Sequence, residues 1–160
     1  MKIIFDTCVL YPTVLREILL GVAKTGLYSP VWSTRILDEW THAFRKKNSN
    51  GQDTILAEIA LLNFHWPNSL VQDYDFDTRS LWLPDENDIH VLASAISSDS
   101  KAIMTLNRKD FPKKILKDFG IVRYSPDEML RDLWTENSEL ISKVVTNAFD
   151  LAKQNMETSL

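Results

Sequence analysis

Cysteine is nearly absent from the sequence. Cys8 stands alone, so no internal disulfide can form and the fold needs no oxidising compartment. Glycine and proline are scarce, four and six in 160 residues, which leaves little room for a disordered linker. Long apolar runs are missing, and nothing approaches the ~18 residues needed to span a bilayer. After Lys2, only Ile3, Ile4 and Phe5 precede Asp6, which is not the pattern of a signal peptide. Cytoplasmic residence without membrane attachment is the expectation. An excess of basic residues is missing too. The net charge of −4 excludes a broadly basic nucleic-acid binder. It does not exclude a nucleic-acid substrate at a site where acids gather and cations lie beside them. The three histidines, His42, His65 and His90, are too scattered for a zinc motif. His90 reads as a helix-surface residue, and Cys8 as a small buried hydrophobe.

What is present fits one soluble domain with an ordinary core. Lys2 to Phe5 is an apolar run of strand length, read as a buried parallel strand. Val9 to Lys24 has apolar residues every three to four positions, with Pro12 in the first turn of the expected helix. Leu27 to Trp32 is the next candidate strand, in which Pro30 suits a sheet edge or a strand end better than a centre. Ser33 or Thr34 caps a helix that ends in Arg45-Lys46-Lys47. Residues 48–51 form a turn. Asp53 to Phe64 is a helix with Ile55, Leu56, Ile59 and Leu62 on one side. Asp73, Asp75 and Asp77 begin like a calcium loop, but Thr78 and Pro84 stand where its Gly and Glu belong, so the segment is a solvated loop. Ile89 to Ser97 is a helix, Ala102 to Thr105 a strand, Leu106 to Asp110 a loop, and Pro112 to Phe119 a short basic helix stopped by Gly120. Ile121 to Tyr124 is the last strand. Pro126 opens a helix through Leu133, and Glu136 to Lys153 is a final amphipathic helix.

Strands alternating with helices predict an α/β fold, a three-layer sandwich with a central, mostly parallel sheet of four to five strands. In such a fold, residues at successive strand ends gather on one edge. Four acidic positions fall there: Asp6, Glu39, the pair Asp85 and Asp88, and the loop holding Asn107 and Asp110. Carboxylates brought together raise one another's pKa, and a hard divalent cation such as Mg²⁺ relieves the repulsion. Taken singly, each residue has a plainer reading. Asp85 and Asp88 can cap a helix, Glu39 can face solvent, and Asp110 can form a turn.

The same blocks resemble the PIN-domain family, and in particular its small bacterial ribonuclease toxins of the VapC-like type. Ile3-Ile4-Phe5-Asp6-Thr7-Cys8-Val9-Leu10 is similar to the family's opening, with Cys8 where Asn is usual. Ser29-Pro30 through Leu37-Asp38-Glu39 resembles the second strand and the helix that supplies a Glu. Pro84-Asp85-Glu86-Asn87-Asp88-Ile89 resembles the Asp-x-x-Asp helix start. Thr105-Leu106-Asn107-Arg108-Lys109-Asp110-Phe111 resembles the loop in which relatives carry Asn or Asp at the position of Asn107. Tyr124-Ser125-Pro126-Asp127-Glu128-Met129-Leu130 resembles the closing segment. The resemblance implies a nuclease domain over residues 1–133 and a Mg²⁺- or Mn²⁺-dependent endoribonuclease. It implies catalytic Asp6, Glu39 and Asp88, metal ligands Asp6, Asp85, Asp88, Asn107 and Asp110, and a protein antitoxin as partner. Thr105, Arg108 and Lys109 are candidate contacts for the RNA phosphate, Thr105 alternatively orienting a carboxylate.

Residues 134–160 lie beyond the resemblance, as a helical extension packed on the domain or placed at an interface, where a homodimer would form. Two other readings stay open. A phosphotransfer receiver needs a strand-end Lys after its later Thr or Ser, which is not evident after Thr105, and an aspartyl-phosphate phosphatase needs Asp at position 8. The alternative of another class is a non-catalytic module of the same fold that binds RNA or protein.

Overall fold

A computed structural model of the chain describes residues 1–48 and 52–158. Four short strands, β1 (Lys2–Phe5), β2 (Ser29–Val31), β3 (Ala102–Met104) and β4 (Val122–Tyr124), form one sheet in the order β2-β1-β3-β4. Every pairing is parallel: Ile4 lies opposite Val31 on one side and Ile103 on the other, and Ile103 lies opposite Arg123. The α/β expectation holds, with four strands. Pro30 sits on β2 at the sheet edge, where its missing N–H costs no ladder bond. Ile3, Ile4, Phe5, Ala102, Ile103 and Met104 are fully buried, as strands covered on both faces require. Each large side chain among them contributes about 1.5–3 kcal/mol of hydrophobic stabilisation.

The order of strands locates the crevice. From β1 the chain moves outward to β2, then returns to place β3 on the other side of β1. The chain connections leave β1 and β3 in opposite directions, which makes this pair the switch point where open α/β sheets bind ligands. Asp6 and Thr105 are the first residues beyond these two strands, and Asp6 N donates to Met104 O across the gap at 3.0 Å.

The helix expected over Val9–Lys24 is two helices, α1 (Thr7–Leu10) and α2 (Thr13–Ala23). Pro12 is extended, with ψ 122°, and precedes α2 instead of lying within a first turn. The carbonyls at the break are satisfied by the buried Arg16, whose Nη1 donates to Leu10 O at 2.6 Å and Tyr11 O at 3.3 Å. Ser33 caps α3 (Thr34–Lys47), its hydroxyl accepting from Ile36 N. The expected turn over 48–51 lies, apart from Asn48, outside the described residues. In α4 (Gln52–His65), Ile55 and Leu62 are buried but Leu56 is exposed. Ile59 packs against the core from a partly buried position, so Ile55, Ile59 and Leu62 make the inward stripe and Leu56 lies off it. The acidic segment through Asp77 is a loop, with Asp77 capping a single 3-10 turn at Thr78–Ser80.

Helix α5 (Ile89–Ser97) is buried on all sides from His90 through Ala95. Helix α6 (Lys113–Lys117) leads to Gly120, which adopts the left-handed φ of 68° needed to turn into β4. Helix α7 (Pro126–Glu136) starts with a full capping box between Ser125 and Glu128. Helix α8 (Ser138–Thr158) packs along α2 and α7, burying Ile141, Ala148 and Ala152. No helix among the described residues is long and apolar enough to cross a membrane.

Candidate metal centre

Asp6 ends β1 and caps α1. It is 4% exposed, with Oδ1 accepting from Thr7 N at 2.8 Å and Oδ2 from Thr105 Oγ1 at 2.8 Å. Cys8 Sγ donates to the same Oδ2 at 3.5 Å. Burial raises the Asp6 pKa above its ordinary value, against the lowering effect of these three donors. Cys8, partly buried rather than wholly so, also accepts from Leu106 N at 3.3 Å. Burial and the Asp6 charge push its thiol up to about 11, so it serves Asp6 as a neutral donor and not as a nucleophile. Thr105 is fully buried, and its hydroxyl both donates to Asp6 and accepts from Asn107 N at 3.0 Å. The hydrogen bond to Asp6 is of the kind that orients a carboxylate.

Asp85, Asp88 and Asp110 offer carboxylate oxygens that all lie within 4.8 Å of one another. Asp85 Oδ1 also caps the 3-10 turn Glu86–Asp88, accepting from Asn87 N at 2.9 Å. Asp88 is the point of convergence. Burial raises its pKa to about 7, reinforced by the charges of Asp6, Asp85, Asp110 and Glu39. These acids come from the end of β1, helix α3, the turn before α5 and the loop after β3. Their grouping therefore depends on the fold and not on any one segment. Among the described residues no ion pair neutralises Asp85, Asp88 or Asp110. A clustered, unpaired set of hard oxygen donors fits a divalent cation of the Mg²⁺ or Mn²⁺ type. Asn107 is exposed beside this group, and Asp110 is the loop residue inside it.

Glu39 is not one of the three clustered acids. Its Oε2 accepts from Thr7 Oγ1 at 3.0 Å, and its Oε1 is in ion-pair contact with His90 Nε2. Burial acts to raise the Glu39 pKa, but His90, Thr7 and Arg35 together outweigh it and hold the group below its ordinary value. His90 is therefore no helix-surface residue. It is 2% exposed, and that expectation is corrected. The available signal was its place within Ile89 to Ala95, an apolar stretch too continuous for a one-faced helix, where a polar ring needs a partner. Thr7 was likewise not foreseen as a holder of Glu39.

Arg108 is exposed and pairs with Glu128 at 3.3 Å, and Lys109 is exposed. Lys47 lies over the Tyr11 ring, with Nζ 5.2 Å from its centroid.

A protein-family model described as PIN domain matches residues 2–109. A curated protein of Mycobacterium tuberculosis (strain ATCC 25618 / H37Rv), named "Putative ribonuclease VapC50", is 32% identical over 87 residues. The matched part is 52% of this chain and 52% of that protein, so the chain spans about half the length of the curated relative it matches. No solved structure matches the chain significantly.

Proposed function

The chain belongs to the PIN-domain family, and from that premise we propose that it is a divalent-metal-dependent endoribonuclease and the toxin of a toxin–antitoxin pair. The supporting observation is the grouping of Asp85, Asp88 and Asp110, whose carboxylate oxygens lie within 4.8 Å of one another, with the charges of Asp6 and Glu39 near enough to help raise the Asp88 pKa. In this reading residues 1–133 carry the nuclease and residues 134–160 are an extension. The RNA substrate and a protein antitoxin are the partners, and the cytoplasm is the compartment.

Asp85, Asp88 and Asp110 would hold Mg²⁺ or Mn²⁺, with Asp6 and Asn107 as the further candidate ligands. When bound, such an ion supplies Lewis-acid polarisation of the phosphoryl group. Asp6 and Asp88 orient the attacking water. Asp6 can do so because Thr7, Cys8 and Thr105 fix its two oxygens. Glu39, kept ionised by its partners, adds a fixed negative charge. Arg108 and Lys109 meet the RNA backbone outside the acids, where cations attract phosphates without reading sequence.

The test is cleavage of a mixed single-stranded RNA in Mg²⁺, Mn²⁺ or EDTA, by wild type and by Asp88→Asn. Cleavage that needs metal and falls about 100-fold or more in the variant is the expected result, since misplacing the attacking group costs that much. A folded wild type that neither cleaves RNA in either metal nor binds Mn²⁺ by calorimetry would instead be a non-catalytic module of the same fold.

A further inference from the structure

We propose that His90 is a positioning residue: it pins the Glu39 carboxylate beside Asp6 and Asp88, and the site's affinity for its metal depends on that pin. The inference rests on reading the acid cluster as a metal site.

Glu39 reaches the crevice from α3 on a side chain that is 38% exposed, so nothing in its own helix fixes its rotamer. Two neighbours hold it, one at each oxygen. Thr7, at the start of α1, donates to Oε2. His90, near the start of α5, meets Oε1 through Nε2. The imidazole is 2% exposed, and among the described residues neither Nδ1 nor Nε2 makes a hydrogen bond of regular geometry; what Nε2 has is its close approach to Glu39 Oε1. The contact with Glu39 is thus the ring's one polar contact. A histidine placed only to fill space in α5 would be an expensive choice, because a buried polar ring without a partner costs stability that Leu or Phe would not. The α5 position also sits two residues after Asp88. The same helix start that presents Asp88 therefore fixes the distance between Asp88 and Glu39. Partners that orient the acids around a metal typically account for 10- to 100-fold of its affinity.

The experiment compares wild type, His90→Phe, His90→Gln and Glu39→Gln by Mn²⁺ calorimetry at pH 8 and by the separate kcat and KM of RNA cleavage. His90→Phe should stay folded by circular dichroism and bind Mn²⁺ about 10- to 100-fold more weakly. His90→Gln, which keeps an N–H of similar reach, should regain most of that loss. In the Glu39→Gln background, His90→Phe should cost nothing further, the sign of a residue acting through another. Should His90→Phe not fold, His90→Asn, polar but too short to reach Glu39, reads the same loss. A folded His90→Phe that binds Mn²⁺ like wild type, or that loses as much without Glu39 as with it, would overturn the proposal. If wild type binds no Mn²⁺, the metal reading falls and the claim on affinity with it. Metal-free melting of the same four proteins plus the double variant then decides the pin: non-additive losses keep it, additive losses end it.

Discussion

At Asp88 the charges of four other acids, brought from separate segments, bear on one carboxyl, while along the seam of two helices Gly21 of α2 meets Ala148 and Val144 of α8 in plain apolar contact. The first region holds groups whose proximity disfavours the folded state. Burial and like charges keep Asp88 half-titrated near neutrality. The second brings apolar side chains of two helices together without clustered charge at the contact. A Cβ on Gly21 would come to 3.3 Å from Ala148 Cβ, so the two helices approach as closely as their side chains permit. The comparison suggests a division of labour, in which stability gained along helix seams offsets electrostatic strain concentrated at the strand ends.

The largest expected effect tests the seam. Ile141 is 2% exposed and anchors the start of α8 in the core. Ile141→Ala should destabilise by about 2–4 kcal/mol in urea unfolding, the range for a large-to-small change in a buried site. RNA cleavage per folded molecule should be unchanged. Cleavage that fell with Ile141→Ala in fully folded protein would mean that the seam serves the site, and the division would fail.

Next in size is the strand-end region's own penalty. Folding raises the Asp88 pKa from 3.8 to about 7, so between these values the folded state keeps a proton the unfolded chain has lost. The Asp88 contribution therefore falls as pH rises from about 4 to about 7. Asp88 is half-buried, and after solvent screening the penalty is about 1–2 kcal/mol. Metal-free Asp88→Asn should melt above wild type at pH 8 by a few degrees, and the difference should close by pH 4. A variant less stable than wild type at pH 8 would show that Asp88 contributes structure and not strain.

Much of this division was legible in the sequence. The strands, the cap at Ser33, the helix start at Pro126, the stop at Gly120 and the order of acidic blocks are local signals, each readable within a few residues. What escaped reading depended on distant partners. Pro12 marks a break and not a first turn because Arg16 folds back onto the carbonyls of Leu10 and Tyr11. Thr105 was open to either of two roles, and its hydrogen bond to Asp6 exists only once the fold brings the two together. His90 looked like surface because its partner, Glu39, arrives from a helix far earlier in the chain. Periodicity reports which face of an element is apolar, and it carries no information on which polar group waits on the neighbouring element.

The smallest expected effect concerns the loop after β3, where Asn107 and Asp110 compete for one place in the site. Asp110 lies in the cluster with Asp85 and Asp88, while Asn107 is exposed and its backbone N–H is committed to Thr105. A carboxylate about 4 Å from a divalent cation gains about 2 kcal/mol even at the dielectric of water, and desolvation takes back part of it, which leaves on the order of 1 kcal/mol, roughly fivefold in affinity. Asp110→Asn should therefore weaken Mn²⁺ binding by about that factor. Asn107→Asp adds a charge farther out, under solvent and salt screening, and should strengthen binding by less. Calorimetry at low ionic strength, repeated at about 0.15 M salt, separates the two. The Asn107→Asp gain should shrink with salt more than the Asp110→Asn loss does. A larger gain from Asn107→Asp than loss from Asp110→Asn would hand the fourth position to residue 107. Asp110 would then be left as an acid that raises the Asp88 pKa without holding the metal.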